Sequence, residues 1–474
     1  MQGKKGEYQE QLFINFQLSK VVPADNFYRR LKDVLDLSYL HKMTEKYYGT
    51  EGRKSIDAEV FFKLMLIGYL ENINSDRKLI EQASMRMDML YFLDHNVDEA
   101  LPWHSTLSRT RKLFGKEIFL ELFRHILKMC IEKGMVCGKT QAVDSAFIKA
   151  NASMDSLEER STQYYDDLTE NEDIVRLKVG KRKKNKDKKF NEQYVSNNDP
   201  DAKVSTKPGK PSALNYLGIV SVDTKSHIIC GANADLANKR DSETIEEVLE
   251  QTIENLEVSN IEVKEVTADT NYSSGKTYKY CEEQNITPYI PVTGSYIPKR
   301  EDFIYDKEAD CYICKLGIKL SFKSLIKKSN KKVPIKVYKT LVEDCCNCLL
   351  KDNCCNASGY KKITHSVDKP YYDIAYERMN TNKGKQMMRL RSSTVEPVLG
   401  TLLNFGGMKK VYTKGIILAS KHILMASMAY NLKKYMNFNS RKSGKAMANT
   451  INMANNFILS SFLKLFQTFS LQYI

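Results

Sequence analysis

An α/β protein with a helical N-terminal domain is the fold class this sequence predicts, and three observations carry it. Over the first third of the 474 residues, apolar side chains recur at helical spacing. From residue 141 the texture changes to short apolar runs separated by turns, the mark of strands. An amphipathic stretch then falls among those strands, the mixture expected of an α/β core. The length exceeds one ordinary core and predicts two or three domains.

The helical part, 1–137, contains "DAEVFFKLMLIGYL" (57–70), with Val60, Phe61, Leu64, Ile67 and Gly68 on one face and Asp57 and Glu59 suited to the first turn. That pattern predicts a buried helix. A second helix is expected over 101–130, opened by Pro102 with Ser105 as its N-cap. Its early turns carry Arg109, Arg111 and Lys112, read either as a solvated face or as contacts to DNA phosphates.

Strands are expected over 141–150, 214–224, 226–235, 261–270 and 286–292, with a turn at 223–225 between the second and third. The segment 241–256 reads as an amphipathic helix. In "QAVDSAFIKANAS" (141–153) an apolar run holds one carboxylate, Asp144, and "IEVKEVTADTNYSS" (261–274) offers Asp269 in the same setting. "RLRSSTVEPVLGTLLNFGG" (389–407) offers Glu396, read as lying just ahead of a helix that begins at Pro397 and closes at Gly406 and Gly407. Carboxylates converging from strand ends are what Mg²⁺ requires, because it takes hard oxygen ligands from one or two acids together with substrate phosphate.

Two segments interrupt this core. Residues 152–212 are polar, and seven of the ten residues in "KRKKNKDKKF" (181–190) are basic, which predicts a flexible loop. Lys181, Arg182, Lys183 and Lys184 are its candidate DNA-backbone contacts. The segment 296–370 is the second interruption. It holds seven of the eleven cysteines, with Cys311 and Cys314 in one C-x-x-C, Cys345 and Cys348 in another, and Cys354 six residues on. Paired C-x-x-C knuckles predict a structural tetrahedral Zn²⁺, with free thiols as the alternative. Cys130, Cys137, Cys230 and Cys281 sit in apolar surroundings and read as core residues.

A net charge of +15 with a pI near 9.0 points to phosphate-bearing partners, nucleic acid first. The start "MQGKKGEYQE" lacks a signal-peptide core and no apolar run reaches the 18 residues of a span, so a cytoplasmic protein without membrane contact is expected.

The blocks "AVDSAFIKANAS", "TADTNYSSGKTY" and "STVEPVLGTLLNFGGMKKVYTKG" resemble, in order, those that hold the first Asp, second Asp and Glu of DDE-type bacterial insertion-sequence transposases. "GRKSIDAEVFFKLMLIGYLENINSDRKLIEQ" (52–82) and "WHSTLSRTRK" (103–112) are similar to the helical domain of the same group, and "ASKHILMASMAYNLKKYM" (419–436) to its closing helix. The resemblance runs from about residue 15 to 437 and leaves the tail, 438–474, outside it. It implies a ribonuclease-H-like mixed-sheet catalytic core over 138–295 and 371–437, interrupted by the Cys-rich insertion 296–370, which has counterparts in part of the group.

The resemblance also implies the chemistry: two Mg²⁺ (or Mn²⁺) ions per active site held by Asp144, Asp269 and Glu396, cutting transposon ends and joining the freed 3′ hydroxyls to target DNA. The partners implied are double-stranded DNA, as terminal inverted repeats and target, and further copies of the chain in a synaptic complex. Related transposases commonly place an Arg four residues before the Glu and a Lys seven after. Here those positions are Ser392 and Leu403, while Arg391 and Lys409 stand off register, so the acids and not these cations are expected to carry catalysis. Rival readings are a ribonuclease-H-like nuclease that cleaves without joining, and a domesticated DNA-binding protein.

Overall fold

The computed structural model describes residues 16–159, 186–327 and 333–438, apart from 50, 52–54, 207–208, 210, 295, 297, 299, 347 and 356–358. These residues fall into two compact units. The first gathers 16–133, 149–151 and 401–438; the second gathers 134–148 and 152–400.

In the first unit, α1 (Ala58–Leu70) is buried almost all round, as its sequence predicts, and Asp57 caps it by accepting from the amides of Glu59 and Val60. Such a cap stabilises a helix by about 1 kcal/mol. After α2 (Asp76–Met85), the single helix expected over 101–130 is two: α3 (His104–Leu113) and α4 (Lys116–Glu132). The break falls at Gly115, the N-cap of α4 in extended backbone, and the N-cap of α3 is Trp103, not Ser105. Phe114, at the joint, is fully buried against Phe61 and Phe62, with ring centroids 5.4 and 5.9 Å away. Packing of that ring outweighs the continuity that local spacing suggests.

The 416–438 helix belongs to this unit. Lys421 donates to the carbonyls of Arg111 and Phe114 at the end of α3, satisfying C-terminal groups that have no partner within the helix. Next to it, His422 is buried, its Nδ1 2.6 Å from the Tyr69 hydroxyl, and burial lowers its pKa to about 4. A histidine that stays neutral when folded but protonates near pH 6.5 when unfolded withdraws stability as pH falls. Between pH 6.5 and 4 the loss is about 1.4 kcal/mol per pH unit. Denaturant titrations at pH 7 and pH 5 should show this slope in the parent and a slope smaller by that amount in His422→Gln.

The second unit is built on a six-stranded mixed sheet. Its strands are β1 (Thr140–Lys149), β4 (Lys203–Ser205), β5 (Ala213–Asp223), β6 (Ile229–Leu236), β7 (Glu265–Thr267) and β8 (Thr287–Tyr289). β1, β7 and β8 run parallel, while β5 lies on the other side of β1 and pairs antiparallel with both β4 and β6. The parallel pairs require crossovers, supplied by α5 (Ile245–Glu257) and α6 (Gly275–Glu283). A mixed sheet with helical crossovers is the ribonuclease-H-like arrangement the resemblance implies.

Part of the segment expected to be a flexible loop is folded. β2 (Leu157–Glu159) pairs with β3 (Tyr194–Ser196), and Asn191 makes two hydrogen bonds of 2.8 Å to the backbone of Val204. Tyr216 on β5 donates to buried Asp199 at 2.6 Å. These bonds to the sheet order a stretch whose polarity alone predicts none. Lys181, Arg182, Lys183 and Lys184 lie outside the described residues.

The Cys-rich insertion is an antiparallel five-stranded sheet in chain order, β9 (Phe303–Asp306), β10 (Cys311–Cys314), β11 (Lys319–Ile326), β12 (Ile335–Lys339) and β13 (Lys362–Ser366). Its own small core joins Phe303, Tyr312, Leu320, Tyr338 and Ile363, with Cys314 and Cys354 packed against it. Asp310 accepts from the hydroxyls of Tyr305 and Tyr338 and from Lys336, and His365 bonds the hydroxyls of Tyr312 and Tyr338. The zinc site expected from Cys311, Cys314, Cys345, Cys348 and Cys354 has no support in this arrangement. Among the described residues no three Cys, His, Asp or Glu side chains stand in metal-ligating geometry. Cys311 is buried within β10, the Cys314 sulfur takes the Ile318 amide, and Cys345 donates to Thr340. Aromatic packing and the Asp310 and His365 hydrogen bonds hold the sheet together.

Candidate active site

Asp144 stands on β1, one strand away from the acid that matches it. In the parallel ladder Thr140 is level with Glu265 and Ala142 with Thr267. Asp144 lies two residues beyond the last paired position on β1, and Asp269 two residues beyond the end of β7, so both acids follow the same end of this ladder. β7 ends at Thr267, and Asp269 follows as the N-cap of a short 3₁₀ turn, Thr270–Tyr272, accepting the Thr270 amide at 2.6 Å.

Glu396 comes from α8 (Asn382–Phe405), which follows α7 (Lys369–Asn380). The sequence expectation placed Glu396 ahead of a helix starting at Pro397; in the structure both lie inside α8. An internal proline forfeits one helical hydrogen bond and crowds the preceding turn, so it is normally read as a helix start. Here the surrounding fold carries the helix through it. The predicted close does occur: Gly407 has φ +73°, and the amides of Gly406 and Met408 both reach the Leu402 carbonyl. The Thr267 hydroxyl on β7 donates to the Met387 carbonyl at 3.4 Å, which ties α8 to the strand before Asp269.

Arg391 joins two of the acids. One guanidinium nitrogen donates to Asp144 Oδ2 at 2.9 Å and another to Glu396 Oε1 at 2.8 Å. Side-chain exposure is 9% for Arg391, 20% for Asp144 and 53% for Glu396, so the Asp144 pair is well shielded and the Glu396 end opens to solvent. Five helical residues are about 7.5 Å along the axis and 140° around it, a gap that needs two long side chains to close. Asp144 Oδ1 accepts the Ser145 amide at 2.8 Å. Burial raises the Asp144 pKa above the ordinary carboxylate value, and the charges of Asp269 and Asp241 add to the rise against the pull of the Ser145 amide and Arg391.

This is a set of hard oxygen donors with a demand for positive charge, which the Arg391 guanidinium meets at two of them. The donor chemistry fits divalent cations held by Asp144, Asp269 and Glu396. The three carboxylates are not drawn to the spacing one ion would impose. Arg391, one position off the register of related transposases, is the cation that bonds two of the acids; its only signal in the sequence is a long cation five residues before Glu396 in "RLRSSTVE".

The candidate DNA cations divide. Arg109 and Lys112 are exposed on α3. Arg111 is not available for phosphate: its guanidinium forms a pair of bonds to Asp76 at 2.8 and 3.1 Å and touches the Met65 sulfur, with 12% of the side chain exposed. It pins α3 to α2. Helical spacing could not reveal this, because Asp76 lies on another helix. Among the described residues no helix is long and apolar enough to cross a membrane.

Two family models match the chain. Residues 16–113 match the Transposase domain (DUF772) model, and residues 313–436, which include Arg391 and Glu396, match the Transposase DDE domain model. No curated protein matches. Among solved structures, the piggyBac transposase synaptic complex with hairpin DNA is similar over 89% of this chain and 72% of that one, at 12% identity and a TM-score of 0.32. The Mos1 mariner paired-end complex with Mn is similar over 57% and 73%, at 10% identity and a TM-score of 0.16. Neither likeness is close enough to bear on the fold or activity of this chain.

Proposed function

Because the chain is a DDE-type insertion-sequence transposase, we propose that it cuts DNA at the ends of its element and joins the 3′ hydroxyls to target DNA, using Asp144, Asp269 and Glu396 to hold two divalent ions, Mg²⁺ or Mn²⁺. The observation that supports this reading is the Arg391 guanidinium shared by Asp144 and Glu396, at the end of the β1–β7 ladder that Asp269 follows. When bound, such ions activate an attacking oxygen and stabilise the leaving 3′ oxygen at the scissile phosphate.

The chain's own groups do the rest. β1 carries Asp144 in the sheet, Asp269 follows the end of β7 as the cap of a 3₁₀ turn, and α8 delivers Glu396 on a helix, so the ligands sit on ordered elements before DNA arrives. Arg391 holds Asp144 and Glu396 toward each other and neutralises part of their repulsion. Exposed Arg109 and Lys112, and the basic run 181–184, contact phosphates and make binding strongly salt-dependent. The helical unit reads sequence at the inverted repeats, and copies of the chain pair the two ends.

The test is a selection of bound sites from random duplexes, followed by cleavage and joining assays on the selected duplex with Mg²⁺. Strand breaks together with 3′ ends covalently joined to a second duplex are expected. Hydrolysis without joined product reduces the reading to a nuclease, and binding with neither reaction overturns it.

A further inference from the structure

Strands β10 to β13 of the Cys-rich insertion contain five lysines and no acidic residue. Lys336 turns to the core side of the sheet, where it pairs with Asp310. Lys319, Lys339 and Lys362 turn the other way. Each stands next in sequence to a core side chain, Leu320, Tyr338 or Ile363, and neighbours along a strand face opposite sides. The ladder sets Lys339 directly opposite Lys362 on β13 and opposite Ser321 on β11, two residues from Lys319. Lys319 and Lys362 are exposed, and none of the three makes an ion pair among the described residues. Lys339 is held by Tyr360 instead, its ammonium 4.7 Å from the ring centroid and 3.4 Å from the hydroxyl. Exposed Ser321 and Thr364 add neutral donors to the same face. Asp306 ends the row on edge strand β9, three strands from Lys339, and accepts the amides of Glu308 and Ala309.

Like charges set directly opposite one another destabilise a sheet, and solubility is served as well by a mixture of signs. A one-signed face bearing hydroxyls complements a row of phosphates, which ammonium and hydroxyl donors contact without reading sequence. We propose that this face seats the phosphate backbone of duplex DNA, so that the insertion contacts DNA in addition to Arg109 and Lys112 of the helical unit; the inference rests on the transposase reading above.

Binding of the full chain to a duplex of about 30 bp and arbitrary sequence, titrated at several salt concentrations, tests this, because phosphate contacts are indifferent to sequence. The triple variant Lys319→Gln/Lys339→Gln/Lys362→Gln should bind about a hundredfold more weakly at about 0.1 M salt. Its plot of log affinity against log salt should be shallower by about 2–3, since each phosphate contact contributes about 0.9. A cooperative melt should be retained, because the substitutions remove the repulsion between Lys339 and Lys362 and no buried contact. If the parent binds and the variant keeps the parental slope, this inference falls and the transposase reading stands. A parent that binds no duplex removes both. If vesicles of phosphatidylserine and phosphatidylcholine capture the parent and not the variant, while the two bind duplex alike, the face serves a membrane and the proposal is overturned. Should the variant lose its cooperative melt, acetylation of the parent by an N-hydroxysuccinimide ester decides: the three lysines are expected to lose reactivity when duplex is bound, and equal rates with and without duplex overturn the proposal.

Discussion

Asp144→Asn is expected to lower end cleavage and strand transfer together by about a thousandfold or more, equivalent to about 4 kcal/mol of transition-state stabilisation. Asparagine keeps the size of the side chain and the oxygen that receives the Ser145 amide, but it removes the charge that would help Asp269 and Glu396 hold a cation. Binding to element-end DNA should stay within about threefold of the parent, since affinity comes from phosphate contacts elsewhere and follows salt in both proteins. Gel-shift titration and joining assays on one preparation separate the two quantities. A variant that joins ends near the parental rate would remove Asp144 from the metal site. A cooperative melt in EDTA, even one lowered by the loss of the Arg391 partner, establishes that the loss is chemical and not a failure to fold.

Arg391→Leu is expected to destabilise the metal-free protein by about 3 kcal/mol, and millimolar Mg²⁺ should recover a substantial part. Removing one partner of a shielded ion pair costs about 3–5 kcal/mol, because the remaining charge stays desolvated. The lower end applies here, since the Glu396 side chain is half exposed and keeps most of its hydration. Arg391→Lys tests geometry separately from charge: an ammonium cannot span Asp144 and Glu396 as the planar fork does, so an intermediate loss is expected. Melting curves in EDTA and in Mg²⁺ measure both effects. If the leucine variant melts with the parent in EDTA, or if Mg²⁺ leaves the gap unchanged, Arg391 is not occupying the place of a cation.

What the sequence made legible was whatever local periodicity encodes. β1, β5 and β6 lie within a few residues of their predicted runs, because alternation and apolar runs register burial directly. Asp144 and Asp269 stood out because a carboxylate interrupts such runs in the same way twice. Features set by distant partners were not legible. The break at Gly115 follows from where Phe114 packs, and the loss of Arg111 to Asp76 follows from a neighbouring helix. Ordering of 186–206 depends on bonds to β5, a strand that comes later in the chain. Pro397 misled because its cost in a helix is a local rule, whereas α8 is held by contacts such as that of Thr267 with Met387. The cysteine spacing suggests a metal knuckle, yet in β10 the two are strand positions on opposite faces, Cys314 alone packing against the aromatic core.

The parallel pairing of β1 with β7, and the late arrival of α8, also govern when this protein becomes dangerous to the DNA around it. At a ribosomal rate of about 5–20 residues per second, roughly 250 residues separate the synthesis of Asp144 from that of Glu396, on the order of 10–50 s. In the second half of that interval, once Asp269 has been made, the emerging chain holds both aspartates but has neither the third acid nor the guanidinium that bonds Asp144 and Glu396. On the proposed site, a chain that stops before Arg391 and Glu396 is expected to fold its sheet and yet cut no DNA.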